Sequence, residues 1–157
     1  MNRRPMPRDT EGTTMLIALP LLAIPVLLYT LVVIFGMDGG FTAAGADAAL
    51  RDALFTIPMT SGASWTVGPG DLLILFSLIL LFFELLKSTS SQKIAIINHA
   101  LSMILFVVCL IAFLLLRGFA TSTFFLITVM VLLDVLAGFI VTIISARKDF
   151  DIGTAAG

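Results

Sequence analysis

Three ionisable side chains stand inside otherwise apolar stretches of this 157-residue chain: Glu84, His99 and Asp134. Asp134 lies 16 residues after Gly118 and 13 before Arg147. On a helix that places it ~24 Å and ~20 Å from those two points, at ~1.5 Å per residue. A charged carboxylate at the centre of a hydrocarbon layer costs about 2.5–3.5 kcal/mol on insertion scales. The side chain is therefore expected to face other helices. Two chemistries fit it: a proton or cation site, or a neutral acid bonded to a hydroxyl or carbonyl that keeps two helices in register. Tyr29, Ser77 and Thr128 fall at similar depth and are the expected partners.

Glu84 precedes Lys87 by three residues, which puts both on one helix face. An ion pair near the end of a helix is the expected arrangement. His99 follows Lys93 by six residues, ~9 Å along a helix. Glu84 and His99 then share a depth, and a contact between them would be a structural hydrogen bond or a proton relay. Asn98 adds to this polar zone. Little other chemistry is present. Cys109 is the one cysteine, so it forms no disulfide within the chain and reads as a small buried hydrophobe. No Cys/His spacing suits a metal, and no nucleotide loop, nucleophile elbow or HExxH appears. No catalytic residue, metal or cofactor is expected. The nine Lys and Arg are scattered without interleaved aromatics, so nucleic acid is not an expected partner.

The elements that position these groups follow from composition. Hydrophobic residues make up 59% and charged residues 12%, and the mean hydropathy is +1.14. A soluble domain is about 45–50% apolar and about 25% charged. Too little charge remains to cover a surface in water, and disorder needs the opposite composition. A membrane-spanning helix needs about 20 predominantly apolar residues. Four runs come near that: 14–36, 71–87, 94–116 and 119–146. None alternates with period two, and backbone in hydrocarbon must satisfy itself, so helices are expected. The expected fold is all-α: a four-helix transmembrane bundle over 14–148 with a short outer loop, 37–70. Tails 1–13 and 149–157 flank it. Pro20 and Pro25 predict a bend near Leu21 to Val26. Ala137-Gly138 offers a close-packing spot near Asp134.

With the N-terminus inside, Arg3, Arg4, Arg8, Lys87, Lys93, Arg147 and Lys148 fall on one side and Arg51 and Arg117 on the other. Both tails are therefore expected in the cytoplasm. Cleavage after Ala44-Gly45-Ala46 is the competing reading of the first run, but that run exceeds the about 7–15 residues of a signal core. In the outer loop, Ala43 to Phe55 predicts a short helix with an Asp47–Arg51 pair and an apolar face of Ala46, Leu50, Ala53 and Leu54. Phe55 to Met59 and Ser64 to Val67, around Ser61-Gly62, predict a small β-hairpin. Phe55, Ile57 and Trp65 are its candidate contact residues, for a docked partner or as a cover over the helix ends. Asp71 is the expected N-cap of the second run.

The stretch Leu54 to Gly70 followed by Asp71–Lys87, with the acid-bearing Thr121–Phe139, resembles small four-span inner-membrane proteins of proteobacteria that carry no assigned activity. That resemblance implies a compartment, the bacterial inner (plasma) membrane, and no reaction. The expected function is non-enzymatic, an accessory or scaffold subunit acting through helix and loop contacts. The alternative is a small oligomeric transporter or proton/ion conductor using Asp134. The expected partners are the lipid bilayer and either a membrane protein or further copies of the chain.

Overall fold

The computed structural model describes residues 19–36, 41–87 and 92–155, without the side chains of 92–95 and 145–155. The elements in order are α1 (Ala23–Phe35), α2 (Ala43–Arg51), β1 (Phe55–Pro58), β2 (Ser64–Val67), α3 (Pro69–Lys87), α4 (Gln92–Leu115), a 3-10 turn (Arg117–Phe119) and α5 (Ser122–Ala155). The chain is mostly helical, and α3, α4 and α5 each contain a stretch long and apolar enough to cross a membrane.

Burial on these helices runs opposite to that of a soluble protein. Only 28%, 17% and 33% of the apolar windows of α3, α4 and α5 are buried, so most of their apolar surface faces outward. Leu75, Phe82, Ile104, Leu114 and Phe139 are among the exposed side chains, whereas Ser77, Glu84, Asn98, Ser102, Thr128 and Asp134 are buried. Water around such a surface would be strongly unfavourable. Hydrocarbon reverses the preference, because there the polar groups must turn inward. The chain is a multi-pass membrane protein on this ground.

The first run departs from expectation. Its described helix, α1, has 13 residues, ~20 Å of rise; positions 14–18 of the expected span lie outside the described residues. Leu19 to Leu22 are not helical. Ala23 N donates to Pro20 O (3.1 Å) and Ile24 N to Leu21 O (3.0 Å), turn bonds that lead into the helix. Proline explains the boundary. Pro20 has no N–H to donate, and Pro25 falls in the first turn of α1, where a missing donor is tolerated. The expected bend is thus a break located just before α1.

Outside the long helices, α2 begins at Thr42, whose Oγ1 accepts from Gly45 N at 3.1 Å. Ala46 and Leu50 are buried as expected, whereas Ala53 and Leu54 lie beyond the helix and are exposed. The Asp47–Arg51 pair forms at 2.8 Å on the surface. Strands β1 and β2 pair antiparallel with Phe55 opposite Val67 and Ile57 opposite Trp65. Gly62 closes their turn at φ 84°, a conformation that favours glycine. α3 starts two residues earlier than expected. Pro69 is its first residue, and Asp71 is third rather than the cap. Its Oδ2 reaches back to Gly68 N at 2.9 Å, the acidic half of a capping box. α5 begins under a Thr121 cap, with Phe124 N donating to Thr121 Oγ1 at 3.2 Å. Its backbone continues to Ala155, into the segment read as a tail from 149 onward.

Three layers follow one another along α3, α4 and α5. The first, beside the outer loop, contains Tyr29, Val33, Leu50, Leu73, Cys109, Phe119, Phe124 and Ile127. Tyr29 is its hub: its ring lies 4.8 Å from Phe124 and 5.4 Å from Phe119. Its hydroxyl donates to Gly118 O (2.9 Å) and meets Thr121 Oγ1 (2.6 Å). Leu22, Leu81, Met130 and Val131 form the second layer. The third is polar.

Candidate functional site: a buried polar cluster

Each polar residue of the third layer extends an apolar stripe. On α3 the buried positions are Leu73, Ser77, Leu81 and Glu84; on α5 they include Phe124, Ile127, Val131 and Asp134. Spacings of three and four keep such residues on one helix face. The helix packing that forms the core therefore also brings Glu84, Asn98, Ser102 and Asp134 inward.

Glu84 is fully buried. Its Oε2 accepts from Leu21 N at 2.6 Å. Its Oε1 accepts from Asn98 Nδ2 and lies 3.4 Å from Lys87 Nζ. Lys87 Nζ donates in turn to Asn98 Oδ1 (2.9 Å) and Leu19 O (2.6 Å). The expected Glu84–Lys87 pair is present, but inside the protein. It does structural work: a carboxylate and an ammonium satisfy the amide and carbonyl that the break before α1 leaves without helical partners. In hydrocarbon each unsatisfied backbone group costs several kcal/mol.

Asp134 is 4% exposed. It faces Ser102 on α4 and lies within electrostatic reach of Glu84, His99 and Lys87. None of its three expected partners bonds to it. The Tyr29 hydroxyl is engaged at Gly118 and Thr121. Ser77 Oγ donates to Leu73 O (2.6 Å) and Thr128 Oγ1 to Phe124 O (2.9 Å), each within its own helix. Nor does His99 bond to Glu84, whose partner on α4 is Asn98. The His99 ring lies instead across Gly138, where an added Cβ would come 2.5 Å from Nδ1 and 3.0 Å from Cγ. The close-packing spot on α5 thus serves His99. His99 Nδ1 and Ser102 Oγ, both buried atoms, have no hydrogen-bond partner.

Sequence reasoning missed Ser102 and the backbone groups of Leu19 and Leu21. Ser102 stands four residues after Asn98 and three after His99, so helical spacing was the signal for it. Pro20 was the signal for the backbone groups. Among the described residues no group of three or more His, Cys, Asp or Glu is disposed to hold a metal ion.

The other candidate residues lie on the hairpin. Phe55 and Ile57 share one face with Trp65 and Val67, by register. Val67 is buried at the foot, while Phe55, Ile57 and Trp65 are 48%, 38% and 51% exposed. The hairpin therefore does not cover the helix ends with this face. A half-open cleft of about 420 Å³ lies at its base, with Asp47, Arg51, Trp65, Asp71 and Thr123 among its lining. Its charged groups already pair with each other or cap α3. Comparison with known protein families, curated proteins and solved structures gave no match to this chain.

Proposed function

We propose that this chain is a non-enzymatic accessory or scaffold subunit of the bacterial inner membrane that binds a membrane-protein partner through its outer hairpin. On this reading four spans hold both tails in the cytoplasm, as the bias of Lys and Arg suggests. The observation that carries the proposal is the hairpin face. Phe55, Ile57 and Trp65 are held side by side on two paired strands, and the second of these runs through Gly68 straight into α3. An apolar ribbon fixed to a rigid helix is pre-organised for contact, and preorganisation lowers the cost of binding. Aromatic residues in such a patch are the usual anchors of an interface.

The test is chemical cross-linking in native membranes followed by purification of the tagged chain. The unaltered protein is expected to retain a stable partner. Phe55→Ser, Ile57→Ser and Trp65→Ser combined should weaken that retention by at least about tenfold, with the melting temperature of the purified chain unchanged. Equal recovery of the same partner by both proteins would refute the docking role.

A second reading has its own observation: a buried acid, Asp134, beside two unpartnered polar atoms. It is a small oligomeric proton or ion conductor. Reconstituted vesicles then show proton flux that Asp134→Asn abolishes; vesicles containing the unaltered chain with no more flux than empty ones exclude it.

A further inference from the structure

Ser102 is completely buried, yet among the described residues its hydroxyl closes no hydrogen bond of ordinary geometry, and the same holds for Nδ1 of His99 on the preceding turn of α4. The Ser102 hydroxyl lies within interaction range of the Asp134 carboxyl, though outside the geometry of an ordinary direct hydrogen bond. The His99 ring is fixed nearby, against Gly138, one turn along α5 from Asp134. Buried polar groups are nearly always paired, and a buried water typically bonds to about three groups that lack other partners. Ser102 Oγ and His99 Nδ1 supply two such groups, and the Asp134 carboxyl beside Ser102 offers an acceptor for a third bond.

We propose that Ser102, His99 and Asp134 hold one water molecule, and that this water loads a proton onto Asp134 from the Lys87 end of the cluster. The inference deepens the second reading and rests on Asp134 exchanging its proton. In the step, one O–H bond of the water breaks as one forms on a carboxylate oxygen of Asp134. A proton arriving from the aqueous side restores the water.

The surroundings give the direction. Toward the Lys87 end, Asn98, Glu84 and Lys87 continue the polar cluster, and the Lys87 side chain retains 16% exposure. Toward the outer loop, Val131, Met130, Ile127, Phe124 and Tyr29 fill the core. The hydroxyls of Ser77 and Thr128 on that side are bound to their own helices. Among the described residues, the titratable and charged groups facing Asp134 are His99 from α4 and Glu84 and Lys87 from α3. The segment leading into α1 contributes Leu22 and the backbone of Leu19 and Leu21. The site therefore loads and unloads through one end.

Infrared spectra of the full chain in lipid nanodiscs, taken over a pH series in ordinary and heavy water, test this. Isotope-labelled aspartate identifies the carbonyl band of a protonated aspartic acid without any substitution. We expect one such band to titrate, and to be absent in Asp134→Asn. Ser102→Ala, which removes a water ligand, and Gly138→Ala, which displaces His99, should each move its midpoint by about one pH unit or more. Thr142→Ala, on the same helix and with its hydroxyl donating to Gly138 O, should leave it in place. The proposal is overturned if no labelled band titrates, or if Ser102→Ala titrates as the unaltered protein does. Flux in vesicles separates it from conduction. A titrating band without flux keeps the loading site and removes the conductor; flux without a titrating band does the reverse.

Discussion

Glu84→Ala is expected to destabilise the protein by about 3–5 kcal/mol, the range for removing one partner of a buried ion pair. The loss has three parts. Lys87 loses its carboxylate partner, the Asn98 amide loses its acceptor, and Leu21 N loses the acceptor that compensates for the break before α1. Glu84→Gln should fall between, because an amide oxygen still accepts from one of these donors while the charge is gone. Unfolding by sodium dodecyl sulfate titration from mild detergent micelles gives both values. An alanine variant that unfolds at the same detergent fraction as the unaltered chain would show that the cluster does not hold the first segment.

Tyr29→Ala should cost a similar amount at the opposite end of the core, about 3–5 kcal/mol for deleting a buried aromatic ring. Tyr29 is fully buried and stacks on both Phe119 and Phe124. Its hydroxyl joins α1 to the turn between α4 and α5. Tyr29→Phe separates the two contributions. It keeps the ring and strands the Gly118 carbonyl, so about 1–2 kcal/mol is expected. Thr121 still caps α5 in that variant through Phe124 N, which confines the loss to the tie itself. The same titration checks the ordering, and a phenylalanine variant as unstable as the alanine one would place the hydroxyl, not the ring, at the centre of this layer.

How much of this was legible follows from what each signal measures. Charge-free runs report where hydrocarbon can accept a chain, so α3 and α4 fall within two residues of their expected ranges at each end. Turn chemistry at Ser61-Gly62 and the β-prone residues beside it located the hairpin. In the first run apolarity says nothing about backbone donors: Thr14 to Gly36 reads as one span, but among its described residues the helix covers only Ala23–Phe35, with Leu19 to Leu22 non-helical around Pro20. Asp71 was misplaced by its spelling as a cap. Pro69 before it is the better start signal, since proline suits the first helical position. In the polar cluster, counting residues set Asp134 level with Tyr29, but the Tyr29 hydroxyl sits at Gly118 and Thr121 beside the outer loop, while Asp134 lies with Ser102, Glu84, His99 and Lys87. The hydroxyls of Ser77 and Thr128, also expected partners of Asp134, bond instead to carbonyls of their own helices. Rotation, read from the three-and-four spacing of the buried stripes, selects Ser102.

The contacts that secure Leu19 and Leu21 have a consequence for how the protein is made. Their anchors lie 63 and 68 residues further along the chain. At a synthesis rate of about 5–20 residues per second, roughly 3–14 s separate the two ends of each contact. Throughout that interval the nascent first segment has an exposed amide and carbonyl that only water, the insertion machinery or lipid headgroups can meet. Its final seat in the bilayer therefore waits on ribosomal delivery of α3 and α4.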